Sequence, residues 1–377
     1  MGLIVNTLKN YQLRHLNLRL IIWVIGLTVL GINVISSATN SSLYEKKQVL
    51  GLVIGLVAMT VLCLFSYRFV LKFYWLFYII NLVLLVIVKV AGAERGGAAR
   101  WIAIGGFQLQ PSEFTKIFLI IFFAMFFNKY REKVNTPQVF FGSLLLFGVP
   151  LLLVYKQPDL STSIVIALIF CGMIFGAGLD YKIIGGVLAI AVPAVIVLVY
   201  LILQPNQKVL EPYQYDRIVG FYDENNENYE RISYQQSNSV MAIGSGGLWG
   251  KGLHNNTTTS VKNGNYISEP QTDFIFCIVG EELGFVGSSA VIILLGLITF
   301  ECIVTGLHAA DMAGRILCYG YATLVAVQSF VNIAVVTKMI PNTGLPLPFV
   351  SYGLSSLLSL YIGVGLVLNV SLQRKKS

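Results

Sequence analysis

Charged side chains are scarce in the apolar parts of this chain, yet QTDFIFCIVGEELG (271–284) holds three carboxylates. Asp273 stands at the entrance of a long hydrophobic run, and Glu281 and Glu282 lie inside it. A charge at the centre of a membrane span costs about 2.5–3.5 kcal/mol by insertion measurements, so such groups mark function or a dedicated partner. The same kind of group recurs beside other runs: Glu113 and Lys116 in QPSEFTK, Asp159 in KQPDLSTS, Arg95 and Arg100 before the fourth run, and the Pro- and Gly-broken stretch IPNTGLPLPFVSYGLSS (340–356). A carboxylate at a polar boundary can take the proton of a weak nucleophile such as an alcohol. Arginine, lysine or a divalent cation can balance phosphate charge.

Each group also has a plain structural reading. Glu113 and Lys116 are spaced to pair with each other along a helix. Asp159, ahead of Ser161 and Thr162, has the position of an N-cap, and so has Asp273. Glu281 and Glu282 lie about 12–13.5 Å deeper than Asp273 along an ideal helix and point about 100° apart, so they cannot both share its face. Gly284 and Gly287 beside them suit a close helix approach or a break. The deeper pair therefore reads as architecture. Taken together, groups of both signs at one depth describe a polar cavity.

The elements that must position them are membrane helices. The 377 residues are 56% hydrophobic and only 12% charged, about half the charge of a soluble domain, and the mean hydropathy is +0.74. The formal charge of +8 forms no patch, so nucleic-acid binding is excluded as the basis of the charge. The five cysteines lie in apolar runs without CxxC spacing and read as inert thiols. Apolar runs near 18–37, 48–66, 69–91, 112–128, 137–155, 160–178, 182–203, 273–304, 314–339 and 349–371 predict ten transmembrane helices, the first retained rather than cleaved.

With both termini cytoplasmic, the inner loops collect Lys9, Arg14, Arg19, Arg68, Lys72, Lys129, Arg131, Lys133, Lys182, Arg315, Arg374, Lys375 and Lys376. The outer short loops hold fewer than half as many: Lys46, Lys47, Arg95, Arg100, Lys156 and Lys338. The expected fold is thus an all-α polytopic membrane protein, a single domain over 1–377. One large extracellular loop, about 204–272, lies between helices 7 and 8 and is too long for a plain connector. Both it and residues 91–112 are expected to carry short amphipathic pieces on the membrane surface.

Five stretches, RWIAIGGFQLQPSEFTKI (100–117), QPDLSTS (157–163), QSNSVMAIGSGGLWGKGL (236–253), QTDFIFCIVGEELG (271–284) and GLPLPFVSYGLSS (344–356), occur in order along most of the chain. Together they resemble the SEDS family (shape, elongation, division, sporulation), most closely its rod-shape, RodA-type branch. Leu354 stands where the family usually has a second glycine, and Ser161 where glycine is commoner. The resemblance implies a peptidoglycan glycosyltransferase of the bacterial plasma membrane that polymerises lipid II, an undecaprenyl diphosphate-linked disaccharide peptide, at the outer face. It implies a class B penicillin-binding protein as partner and carries the catalytic aspartate over to Asp273.

The chemistry of the residues is compatible. Asp273 would act as general base on an acceptor hydroxyl in an inverting displacement. Arg100, Lys116, Lys251 and Arg95 are candidates for the diphosphate, with Gln271 beside them as a further substrate-facing group. A divalent cation, Mg²⁺ or Mn²⁺, could bridge diphosphate and carboxylates, with Glu113 and Asp159 holding it. Glu281, Glu282 and Ser351 would supply polar support. GSGGLWGKG (244–252) could bring backbone amides to a phosphate or be a flexible turn. Alternatives on the same chain are the division or sporulation branch with the same chemistry, a lipid II flippase, and a non-enzymatic scaffold for the penicillin-binding protein.

Overall fold

The computed structural model describes residues 13–39, 42–95, 98–104, 107–157, 159–202, 204, 210, 212–222, 230–255, 260, 266–267 and 269–374. Lys9, Lys375 and Lys376 of the charge pattern lie outside them. Most of the described residues are helical. In chain order the helices are α1 (Leu18–Ala38), α2 (Ser42–Leu64), the short α3 (Tyr67–Lys72), α4 (Tyr74–Ala91), α5 (Pro111–Lys129), α6 (Pro137–Tyr155), α7 (Leu160–Gly176), α8 (Tyr181–Ile202), α9 (Pro212–Tyr222), α10 (Glu230–Ser245), α11 (Ile275–Leu307), α12 (Met312–Val336) and α13 (Leu354–Leu372). Each expected apolar run falls on a helix. Among the described residues seven helices, α1, α2, α5, α6, α11, α12 and α13, are long and apolar enough to cross a membrane, and α4 and α7 are shorter apolar helices. The protein is an all-α polytopic membrane protein.

Local chemistry sets the helix ends. Prolines start α5 and α6, where the missing amide hydrogen is no loss. Asn17, Asp159 and Asp311 accept from Leu20, Thr162 and Gly314 at the starts of α1, α7 and α12. Most of α5 and α13 is buried, which puts them at the centre. α12 packs on α5, α7 and α11, and α13 lies along α2. The last contact is close because Gly51, Gly55 and Gly365 leave no side chain between the helices: a Cβ at Gly55 would meet the Tyr361 ring at 2.9 Å.

The described residues between α4 and α5 do not form amphipathic surface helices. They form a small antiparallel sheet, β1 (Ala93–Arg95), β2 (Ala98–Ile104) and β3 (Phe107–Leu109), in the order β1-β2-β3, with Ala93 opposite Trp101 and Ile102 opposite Leu109. The aromatic and β-branched residues of Trp101-Ile102-Ala103-Ile104 suit a strand, and pairing satisfies backbone groups where the chain leaves α4. The later polar segment does contain two short helices, α9 and α10.

The long α11 is broken. Gly284 has φ 66° and ψ −162°, and the GSGGLWGKG loop is clamped against it. Lys251 and Gly252 amides donate to the carbonyls of Glu281 and Glu282, both at 2.9 Å. The amides of Phe285 and Val286 donate to Gly247 and Leu248 at 2.8 and 3.2 Å. The loop's amides therefore face protein carbonyls here, which displaces the phosphate-cradle reading of this motif.

At Gly250, φ is +78° and a Cβ would sit 2.2 Å from the Glu282 carbonyl oxygen. Gly250→Ala is therefore expected to lower stability by about 2 kcal/mol or more, read as a drop in Tm in detergent. Gly296→Ala, with nothing within 4 Å in the lower part of the same helix, should be neutral or slightly stabilising.

Candidate active site

The bundle has two polar ends. The end remote from His15 and Ser371 opens into a cavity of about 760 Å³ whose wall draws on α2, β2, α5, α7, α9, the segment before α11 and the loop 340–353. Its lining includes Arg100, Glu113, Asp159, Gln271 and Asp273. Five of the residues singled out in the sequence thus meet in one hollow although they are spread over more than 170 positions.

Asp273 does not cap a helix. The helix starts at Ile275 behind Phe274, whose side chain makes no capping hydrogen bond, so the Asp273 carboxylate is left to the cavity. Its main chain is held instead. Asn332 of α12 donates to the carbonyls of Asp273 and Leu345, both at 2.7 Å. Ser351 donates to Thr272 O at 2.6 Å and accepts from the Leu347 amide at 2.7 Å, while the Tyr352 amide donates to Gln271 O at 2.9 Å. Burial pushes the Asp273 carboxyl up to about 6. Glu269 and Asp159 add to the rise, and the Arg217 and Arg100 guanidinium groups oppose it.

Arg217 is the cation that sequence reasoning missed. It sits on α9, donates to Asn342 O at 3.4 Å, and shares the hollow at Gly344 with Asp273. A Cβ at Gly344 (φ +74°) would lie 3.3 Å from Asp273 Oδ2 and 3.4 Å from Arg217 Nη1. Its signal was weak: one arginine in the aromatic stretch PYQYDRIVGFY. Arg100 lines the cavity and donates to Gln157 O at 3.2 Å. The side chain of Arg95 lies outside the described residues.

Two lysines proposed for diphosphate are elsewhere. Lys116, 1% exposed, lies behind the wall, where its ammonium donates to Glu113 Oε1 and Gln328 Oε1, both at 2.8 Å. Gln328 in turn donates to Pro346 O at 2.9 Å. A buried ammonium needs such acceptors, and they hold it away from the cavity. Lys251 is away from the cavity too, paired with Glu281 at 2.8 Å beside the break in α11. Glu282 accepts from Ser37 of α1 at 2.6 Å.

Glu113 and Asp159 share one wall, linked through Ser112, which donates to Asp159 Oδ2 at 3.3 Å. Glu113 Oε2 is buried and accepts no hydrogen bond among the described residues. No group of three His, Cys, Asp or Glu side chains with metal-binding geometry occurs among the described residues. Gln48, 1% exposed in α2, also escaped the sequence reading. It donates to Ser351 O at 3.1 Å and accepts from the Gly353 amide at 3.3 Å. Gln48, Gln328 and Asn332 were detectable in principle as amides inside apolar runs, the last two one helical turn apart.

Comparison with known proteins agrees with this architecture. A family model for FtsW, RodA and SpoVE, described as cell cycle protein, matches residues 14–376. The chain is 33% identical over 375 residues to the probable peptidoglycan glycosyltransferase FtsW of Trichlorobacter lovleyi, covering 96% of this chain and 95% of that one. A chain from a peptidoglycan synthase complex, described by its coordination of polymerization and crosslinking, superposes with a TM-score of 0.76 at 27% identity, covering 94% and 97%. The rod shape determining protein RodA of Thermus thermophilus superposes with a TM-score of 0.68 at 27% identity, covering 95% and 97%. The chain belongs to the FtsW/RodA/SpoVE family of cell cycle proteins, the SEDS family its motifs resemble.

Proposed function

We propose that this protein is a peptidoglycan glycosyltransferase that polymerises lipid II, with Asp273 as general base. The single observation that carries this reading is the Asp273 carboxylate standing uncapped in a large polar cavity beside Arg217 and Arg100. The acceptor hydroxyl attacks the anomeric carbon of the donor sugar and passes its proton to Asp273. The bond to the lipid diphosphate breaks as the new one forms, with inversion at that carbon. Positive charge near the departing diphosphate lowers the barrier, and Arg100 and Arg217 supply it. A carboxyl near 6 is largely ionised at neutral pH and still basic enough to accept the proton.

Family membership and the relatives' names support the enzyme class. The positive-inside charge pattern supports ten spans with both termini in the cytoplasm, the cavity facing outward and the 204–272 segment outside. The synthase complex among the structural relatives supports a class B penicillin-binding protein as partner.

Glu113 and Asp159 fit a divalent cation: they are two carboxylates on one wall, one with a buried oxygen that accepts no hydrogen bond among the described residues. A bound Mg²⁺ or Mn²⁺ would neutralise diphosphate charge. With only two protein carboxylates there, substrate and water would supply its other ligands.

Asp273→Asn should leave a folded protein that makes glycan from labelled lipid II on the order of 10²–10⁴-fold more slowly. Full polymerisation by that variant would sink the reading. Because protonation disables the base, the wild-type rate should fall by about one log unit per pH unit below about pH 6 and level off above it. Chelation by EDTA should suppress polymerisation and Mg²⁺ or Mn²⁺ restore it, with the effect blunted in Glu113→Gln and Asp159→Asn. Expression in rod-shaped bacteria depleted of their RodA should restore rod shape, whereas depletion of FtsW should not be rescued. The reverse pattern would assign the chain to division.

A further inference from the structure

We propose that the Lys251–Glu281 ion pair is a pin that sets the position of Asp273, making Lys251 a positioning residue for the reaction. The inference rests on the catalytic reading of Asp273 given above.

The break at Gly284 separates α11 into an upper piece, 275–283, and a longer lower piece. An unbroken helix would fix the direction of its own N-terminus, and a broken one does not. Here the loop 246–252 performs that task. Two of its amides donate to carbonyls of the upper piece, Lys251 to Glu281 and Gly252 to Glu282, while its carbonyls at Gly247 and Leu248 accept from Phe285 and Val286 of the lower piece. The loop therefore splices the two halves at a set angle. No room for slack exists at the splice, since a Cβ on Gly284 would lie 2.3 Å from the Gly250 nitrogen.

Lys251 grips Glu281 twice, through its main-chain amide at 2.9 Å and through its ammonium at 2.8 Å. The Glu281 side chain is 1% exposed and that of Lys251 21%, so loss of the ammonium leaves a buried carboxylate without its counter-ion, and the splice must shift or admit water. Glu281 lies eight residues beyond Asp273, about 12 Å along a helix axis. Over that length a tilt of about 10° at the splice moves the Asp273 end by roughly 2 Å. A displacement of about 1 Å is enough to slow a reaction on the order of 100-fold.

A ligand for diphosphate at position 251 and a pin at position 251 predict different kinetics. Purified full-length protein is assayed with labelled lipid II at varied concentration. Lys251→Met should lower the turnover rate at saturation by about tenfold or more, with the half-saturating concentration within about twofold of wild type. Lys251→Arg should recover most of the rate, because it keeps the charge facing Glu281. If Lys251→Met does not fold, the double variant Lys251→Glu with Glu281→Lys serves: it should exceed both single variants in turnover.

A raised half-saturating concentration with unchanged turnover would make Lys251 a substrate ligand and overturn the pin. So would full activity of Lys251→Met, or a folded double variant no better than the singles. Wild-type protein that makes no glycan would sink the catalytic reading itself, and the pin with it.

Discussion

Wherever this chain stops being helical at membrane depth, the freed amides and carbonyls must find partners inside the protein, because lipid offers none. Among the described residues such places include the break at Gly284 and the Pro-rich segment 340–353, the second of which lines the cavity. At the first, main-chain groups of the GSGGLWGKG loop supply the partners. At the second, side-chain amides and hydroxyls do so: Gln328 for Pro346, Asn332 for Leu345, Ser351 for Leu347, and Gln48 for Ser351 and Gly353. Asn332 and Ser351 reach the segment around Asp273 with the same atoms. The satisfaction of broken backbone is thus also what holds the carboxylate-bearing strand of chain in place.

The charges divide by the same logic into committed and available. Lys116 is almost fully buried and both Glu113 and Gln328 accept from it, so its role is to tie α5 to α12 and, through Gln328, to the 340–353 loop. Such a pair gives little net stability, because desolvation offsets its attraction, but losing one member would strand the other. Asp273 is available instead: it lies between protein walls and the cavity, flanked by carboxylates that raise its proton affinity and guanidinium groups that lower it. The balance leaves it ionised near neutrality without being locked into an ion pair.

The opposite end of the bundle uses similar residues to close the ends of helices. Asp311 caps α12 while accepting from Tyr67 and Arg68, both at 2.8 Å. Asn369 donates to the carbonyls of Cys63 and Phe65 at 2.6 and 2.7 Å, where α2 gives way to α3. Glu301 accepts from Asn17 at 2.7 Å. There the same residue types close helix ends and tie neighbouring helices together.

Sequence by itself determined the helical class and the placement of the apolar runs, because these depend on a local signal, apolar run length; it offered a break near Gly284 as one of two readings and singled out Asp273 as a charge where charge is expensive. It did not determine which ions face the cavity. Lys116 read either as a partner of Glu113 or as a ligand for diphosphate and Lys251 as a ligand for diphosphate, and only the packed structure brought Gln328 and Glu281 to them. Arg217 read as one residue of a polar loop until α9 carried it to Gly344 and Asp273. The sheet at 93–109 escaped notice because apolar runs announce helices and short strands give little such signal. Those outcomes were decided by tertiary structure, since whether a charge is spent on a neighbour or left for a substrate depends on distances between residues far apart in the chain.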